Sequence, residues 1–278
     1  MSATEHARSD EQQADEPSLA EQMDQAPEPA ARRSRRLDRE TWSMLVVPPV
    51  LVALVFAGFV WWRQSADLDS TELNQLQWST IWRLIGEHVQ VTAVSAVAAV
   101  LVAVPLGVAL TRGPLRRTAP LVVGFANAGQ AAPSIGLIVL LAIWVGFGFW
   151  TAVLALTLYG VLPVLRNTIT GLQGVDPTLV EAGQGLGMSS ASVLLRVELP
   201  LALPVIMAGV RTALVLLVGT AALATFINAG GLGAIVDAGI SNYRFSLMIA
   251  GAVLIALLAL LVEWLGRLLE LATRPKGL

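Results

Sequence analysis

The chain has 278 residues, 55% of them hydrophobic and 14% charged, with a mean hydropathy of +0.68; these are values of a protein with several membrane spans, not of a soluble globule. Its net charge of −2 and segregated charges leave no basic surface for nucleic acid. The absence of cysteine excludes disulfides and thiolate metal sites. His6 and His88 both fall outside the apolar runs, so a histidine-based centre within the membrane is not expected.

Residues 1 to about 31 are acidic, rich in Gln, Ala and Pro, and read as disordered. Arg32, Arg33, Arg35, Arg36 and Arg39 follow, either as a topology signal at the membrane face or as a lipid- or partner-binding cluster. Charge-free runs then mark the spans, since about 20 apolar residues cross the hydrocarbon core as helix. The first is Trp42–Trp62, a retained anchor too long for a signal-peptide core. The second is Val89–Thr111, preceded by a short surface helix near Trp78–Ile85. The uncharged stretch between Arg117 and Arg166 is long enough for two crossings, Leu121–Val145 and Phe149–Leu165, joined at Gly146-Phe147-Gly148. The fifth runs from about Ala202 to Phe226 and the sixth from Phe245 to Val262. The expected fold is an all-α polytopic membrane protein with six transmembrane helices.

Arginine bias orients these spans. With both termini in the cytoplasm, the tail arginines, Arg112, Arg116, Arg117, Arg166, Arg196, Arg267, Arg274 and Lys276 all fall inside. Only Arg63, Arg83 and Arg244 fall outside. Small residues such as Ala96, Ala99, Ala103, Gly209, Ala213 and Gly219 fit close helix approach in lipid. Neither an internal repeat nor an inverted duplication is evident.

The polar, glycine-rich stretch from Glu181 to Pro200 lies between the fourth and fifth spans. Asp176-Pro177 carries a helix-start signature, Asp as N-cap and Pro at the first helical position. Gly187 fits a left-handed C-terminal cap. Ser189 or Ser190 caps a second short helix towards Glu198, and Leu199-Pro200 is expected to end it. The result is a knuckle of two helices on the cytoplasmic face.

Glu181, Ala182, Gly183, Gly187, Val197, Leu199 and Pro200 resemble, at full spacing, the coupling-loop signature of ABC importer permeases. That signature is Glu-Ala-Ala, three residues, Gly, nine residues, Ile, any residue, Leu-Pro. Gly183 replaces the second Ala and Val197 the Ile. Asn127, Gln130, Pro133 and Ser134, together with Ile206–Ala213 and Gly230-Gly231-Leu232-Gly233, further resemble permeases of the osmoprotectant branch. The resemblance implies a subunit of an ATP-driven importer for glycine betaine, choline, carnitine or proline-type solutes in the bacterial cytoplasmic membrane. It implies as partners two ABC ATPase subunits clamping the loop around Glu181–Gly187 (Asp176 being counted with the coupling loop), a second permease subunit (identical or paralogous) and an extracytoplasmic solute-binding protein. The one lysine, Lys276, stands in no P-loop, so ATP and Mg belong to the partner ATPase. No cofactor, metal or catalytic residue is expected on this chain, which is not an enzyme. The implied layout is a disordered cytoplasmic tail (1–40), a first anchor with external linker (41–75), the permease domain (76–270) and a cytoplasmic tail (271–278). The same machine with another cargo, such as an amino acid, is the nearest alternative. An ion-coupled secondary carrier would need intramembrane carboxylates, whereas Asp237 and Glu263 read as span ends.

Polar groups in the apolar spans, Asn127, Gln130, Ser134 and Thr225, either bond neighbouring helices or line a path. Gln130-Ala131-Ala132-Pro133 breaks the third helix. Tyr159 and Trp144 have aromatic faces suited to a quaternary ammonium ion, and Trp144 is equally suited to anchoring at the lipid interface. Arg211 either makes a structural or gating pairing, snorkels to the cytoplasmic interface, or contacts the substrate. Gly230-Gly231-Leu232-Gly233 either gates the path or only turns the chain.

Overall fold

The computed structural model describes residues 30–273, with side chains from Trp42 onward. The chain divides into two units, residues 1–46 and 47–278. The described part of the first, 30–46, is one helical stretch at the start of α1 (Ala30–Ser65). Residues 30–40, expected within a disordered tail, are therefore helical, in keeping with their content of Ala, Arg, Leu and Glu. The rest of that expected tail lies outside the described residues, as do Arg274 and Lys276.

In the second unit every described element is a helix or a turn. The end of α1 packs Phe59 edge-on against Trp78, with ring centroids 6.4 Å apart. The linker holds α2 (Ser70–Gln75), started by a reciprocal cap in which Asp69 accepts from the Glu72 N–H and Glu72 accepts from the Asp69 N–H. The long helix α3 then spans Trp78–Leu110. The expected separate helix near Trp78–Ile85 is thus the opening of the second span, with Ile81 and Leu84 buried.

After a 3₁₀ turn (Gly113–Thr118) come α4 (Ala119–Ala131) and α5 (Ser134–Val145), bent by 95° at the break. Next are α6 (Phe149–Gln173), α7 (Pro177–Gly185) and α8 (Ser190–Val193). A π turn, Leu194–Glu198, leads into α9 (Leu199–Ala221). A 3₁₀ turn (Ala222–Ile227), α10 (Gly233–Ser241) and α11 (Phe245–Thr273) complete the chain.

Contact registers decide the number of crossings. Ser95 meets Val153, Gly160 faces Ala99, and Gly107 faces Thr168, so α3 and α6 run parallel. The chain must return from the end of α3 to the start of α6, and α4–α5 is that return, one crossing broken in the middle. α9 runs antiparallel to α6, with Gly171 against Ala202 and Gly160 against Leu217. Among the described residues, five long apolar helices and the bent pair give six candidate spans, the expected number.

The helices are longer than the charge-free runs that announce them. α6 continues past Leu165 to Gln173, and α11 continues past Val262 to Thr273 and carries Glu263 within it. Leu199-Pro200 does not end a helix, since residues 190–227 form one continuous span. The Leu199 N–H reaches back to the Leu194 carbonyl across the π turn, which shifts the hydrogen-bond ladder just where Pro200 lacks a donor. The ladder thus passes the proline.

Candidate functional site

The caps of the knuckle form as its sequence specifies, although its second helix runs on into α9. Asp176 caps α7, its carboxylate accepting from the Thr178 N–H at 2.9 Å and from the Thr178 hydroxyl at 2.8 Å. These two donors hold the Asp176 carboxyl below the usual carboxylate range. At the other end Met188 N–H donates to the Gly183 carbonyl and Gly187 N–H to that of Gln184, with Gly187 at φ +83°. That pair of bonds is the glycine-dependent helix stop anticipated at Gly187. Ser189 is the cap of α8, accepting from the Ser192 N–H.

Gly183 is buried against α8: a Cβ there would stand 3.4 Å from Val193 Cγ2 and 3.5 Å from Met188 Sδ. Its lack of a side chain leaves room for an ordinary methyl contact. Glu181 and Ala182 are exposed, and Val197, Leu199 and Pro200 are half-buried where the knuckle joins α9. Leu186 is 84% exposed at the corner, with Leu179 and Leu195 also exposed. An apolar, rigid corner of this kind suits contact with another protein.

Beside it lies a groove of about 480 Å³ lined by Thr111, Arg112, Arg116, Glu181, Gln184 and Glu198. Glu198 is only 5% exposed and accepts from the Arg112 guanidinium. A carboxylate buried this far is costly without a cation. The pair ties the π turn below α9 to the end of α3, two stretches 86 residues apart. Sequence reading placed Arg112 only as a topology charge; the visible signal was Glu198, an acid directly before Leu199-Pro200 at the entry to the span.

Arg211 does not lie free in the fifth span. It sits 3.4 Å from Glu263 and 3.2 Å from Glu270, both on α11, and its stem lies across Gly266. Arg211 is thus ion-paired, and of its two acids the sequence marked only Glu263, as a span end.

The other candidates separate into groups. Gln130 donates to the Tyr159 carbonyl at 3.3 Å and the Tyr159 hydroxyl donates to the Ala132 carbonyl, so both stitch the α4–α5 break to α6. Tyr159 is thereby buried and its ring offers no open face. Pro133 and Ser134 open α5 at the same break, and Asn127 is half-buried one helical turn before it on α4. Trp144 is exposed near the end of α5. Thr225 lies elsewhere, donating to the Gly230 carbonyl at 3.1 Å. His88, read as lying outside the apolar runs, is fully buried in α3.

Arginines from the two expected sets stand at opposite ends of α3. Arg63, Arg83 and Arg244 bond around α2 and the start of α3, through the Leu76 carbonyl, Glu87 and Asp69. Arg112 and Arg116 line the groove beside the knuckle.

Residues 103–275 match the family described as the inner membrane component of binding-protein-dependent transport systems. The chain is 42% identical over 193 residues to the glycine betaine/carnitine/choline transport system permease protein OpuCB of Bacillus subtilis, covering 69% of this chain and 88% of that one. It is 41% identical over 197 residues to the osmoprotectant import permease protein OsmW of Salmonella typhimurium, covering 69% and 91%. A solved structure described as an inward-facing conformation of the MetNI methionine ABC transporter superposes with a TM-score of 0.62 at 25% identity, over 72% of this chain and 100% of that one. The broken third span, the knuckle between the fourth and fifth spans, and this breadth of matching agree. The chain belongs to the family of multi-pass inner-membrane permease components of binding-protein-dependent ABC transport systems.

Proposed function

We propose that this chain is the membrane-spanning subunit of an ATP-driven importer for osmoprotectants, with quaternary-ammonium solutes such as glycine betaine, choline and carnitine as cargo. The names of relatives near 42% identity support that cargo. The observation that carries the mechanism is the capped knuckle, Asp176–Pro200, continuous with α9 and braced to α3 through Arg112 and Glu198. On this reading two ABC ATPase subunits, which hold the ATP and Mg, each grip one knuckle on the cytoplasmic face. A second permease subunit completes the path, and an extracytoplasmic binding protein delivers the solute.

The chain's own work is mechanical. Moving a two-state equilibrium from one extreme to the other needs about 5.5 kcal/mol of differential contact energy. That energy enters as a force on the knuckle. It reaches α9 without a break in the helix and α3 through the Arg112–Glu198 ion pair. The test is uptake of labelled glycine betaine, choline and proline into vesicles holding the whole complex, with and without ATP. ATP-dependent accumulation of a quaternary-ammonium solute is the expected result; accumulation that follows an ion gradient without ATP would overturn the reading.

A further inference from the structure

At the end of the bundle opposite the knuckle, the chain leaves α9 through the 3₁₀ turn Ala222–Ile227. It passes Asn228 in the left-handed conformation and reverses at Gly230 and Gly231, with φ of +79° and +98°. Ala224, Ile227 and Ala229 pack in one apolar cluster with Val91 of α3, Ile138 of α5 and Ala152 of α6. The reversal therefore fills the space among three spans at that end.

Its return is pinned by two consecutive residues of α3. Gly231 N–H donates to Glu87 Oε2 at 3.0 Å, and Leu232 N–H donates to His88 Nδ1 at 3.2 Å. His88 Nε2 lies 2.9 Å from the Val218 carbonyl of α9. Because Nδ1 accepts a backbone N–H, the ring proton belongs on Nε2, where it is donated to Val218. One neutral tautomer thus joins three stretches of chain. The backbone at the turn also touches these side chains directly. A Cβ at Gly230 would stand 2.4 Å from Glu87 Oε2, and one at Gly231 would stand 3.2 Å from His88 Nδ1. Arg83 steadies Glu87 from the preceding helical turn at 2.5 Å.

The geometry points to Glu87 and His88 as positioning residues that latch the 222–232 segment shut over this end of the bundle, the latch parting when the transport path opens there. The inference rests on the transport reading for its purpose, but its test needs no solute. A path that opens alternately must part contacts at this end, and backbone bonds to two side chains on one helix can break together without unwinding a span.

The protein has no cysteine, so Ala229→Cys gives its one thiol, buried beneath the turn at 8% exposure. The measurement is its labelling rate by a membrane-impermeant maleimide in right-side-out vesicles containing the assembled transporter without nucleotide. His88→Gln retains a donor near Nε2 for Val218 but removes the acceptor for Leu232 N–H. His88→Asn keeps an acceptor near Nδ1 and removes the distal donor. Loss of the buried acceptor bond is expected to raise labelling about tenfold in His88→Gln and to leave His88→Asn close to the parent. Equal labelling in the parent and His88→Gln, or an increase in His88→Asn as large as in His88→Gln, would overturn the latch. Gly231→Ala forces the turn from the other side, and accelerated labelling there is also expected. If His88→Gln does not accumulate in the membrane, Gly231→Ala decides alone, with the parental rate overturning the proposal. Absent solute uptake alongside the expected labelling pattern would sink the cargo assignment and leave the latch standing.

Discussion

Gly209 and Gly219 both lie in the fifth span, and both read from sequence as small residues for close helix approach, yet the structure separates them. A Cβ at Gly209 would stand 2.5 Å from Asn167 Cβ and 2.9 Å from the Pro163 carbonyl oxygen on α6. Asn167 is itself held by donating to that carbonyl at 2.9 Å, so neither neighbour moves freely. Ordinary carbon contacts lie at roughly 3.5–4.0 Å, so Gly209→Ala must part α6 from α9 by about 1 Å. Overpacking of this kind costs about 1–3 kcal/mol, partly offset by the roughly 1 kcal/mol that alanine gains in a helix. At Gly219 a Cβ would have nothing within 4 Å, and only the gain remains within this subunit. Thermal unfolding of the purified subunit, followed by tryptophan fluorescence and gel filtration, is expected to show Gly209→Ala lowered and Gly219→Ala unchanged or raised. Equal shifts, or Gly219→Ala the worse, would refute the packing argument.

Gly187→Asp places a side chain at φ +83° and is expected to leave membrane insertion intact while abolishing ATP-coupled uptake, whereas Gly183→Ala, with only ordinary methyl contacts in prospect, is expected to transport normally. Arg112→Ala leaves Glu198 buried without its cation. Loss of a buried pair costs about 3–5 kcal/mol, reduced here to about 1–3 because Arg112 is 42% exposed. A double-mutant cycle with Glu198→Gln, read by thermal unfolding and by the ratio of uptake to ATP hydrolysed, measures it; additive effects would refute the brace. The pH dependence of the knuckle follows from Asp176. Its carboxyl is held low by Thr178, so its contribution is complete above the ordinary carboxylate range and is lost as pH falls through the lower, folded value. Hydrogen exchange at the Thr178 amide should therefore show undiminished protection from neutral pH down to mildly acidic pH, and Asp176→Asn should weaken it throughout that range.

What was legible in the sequence was mostly local. Asp176, Gly187 and Ser189 act on backbone groups within a few residues, and side-chain chemistry alone marks such caps. The six spans were legible because charge-free runs report the hydrocarbon zone. Their ends were not, because a helix continues into polar surroundings wherever its own ladder is satisfied, as at Trp78, Gln173 and Thr273. Pro200 misled for a related reason: a proline signals a break only when the ladder around it is regular, and the π turn at Leu194–Glu198 makes it irregular. His88, Arg112–Glu198 and Arg211 with Glu263 and Glu270 were beyond local reading. Each is defined by a partner on another helix, and spacing along one chain carries no trace of that pairing. Tyr159 shows the converse, an aromatic suited to a cation whose hydroxyl is instead engaged by the broken third span.

A single thiol tests whether the knuckle is the place where the ATPase acts. Ala182→Cys lies on the exposed face of α7 in a chain with no other cysteine. In active vesicles it is expected to form a disulfide with a cysteine placed on the ATPase subunit, to do so at a rate that changes with bound nucleotide, and to stop uptake until reduced. Failure to cross-link to any ATPase position while uptake persists, or labelling of this thiol from the external medium, would contradict the account.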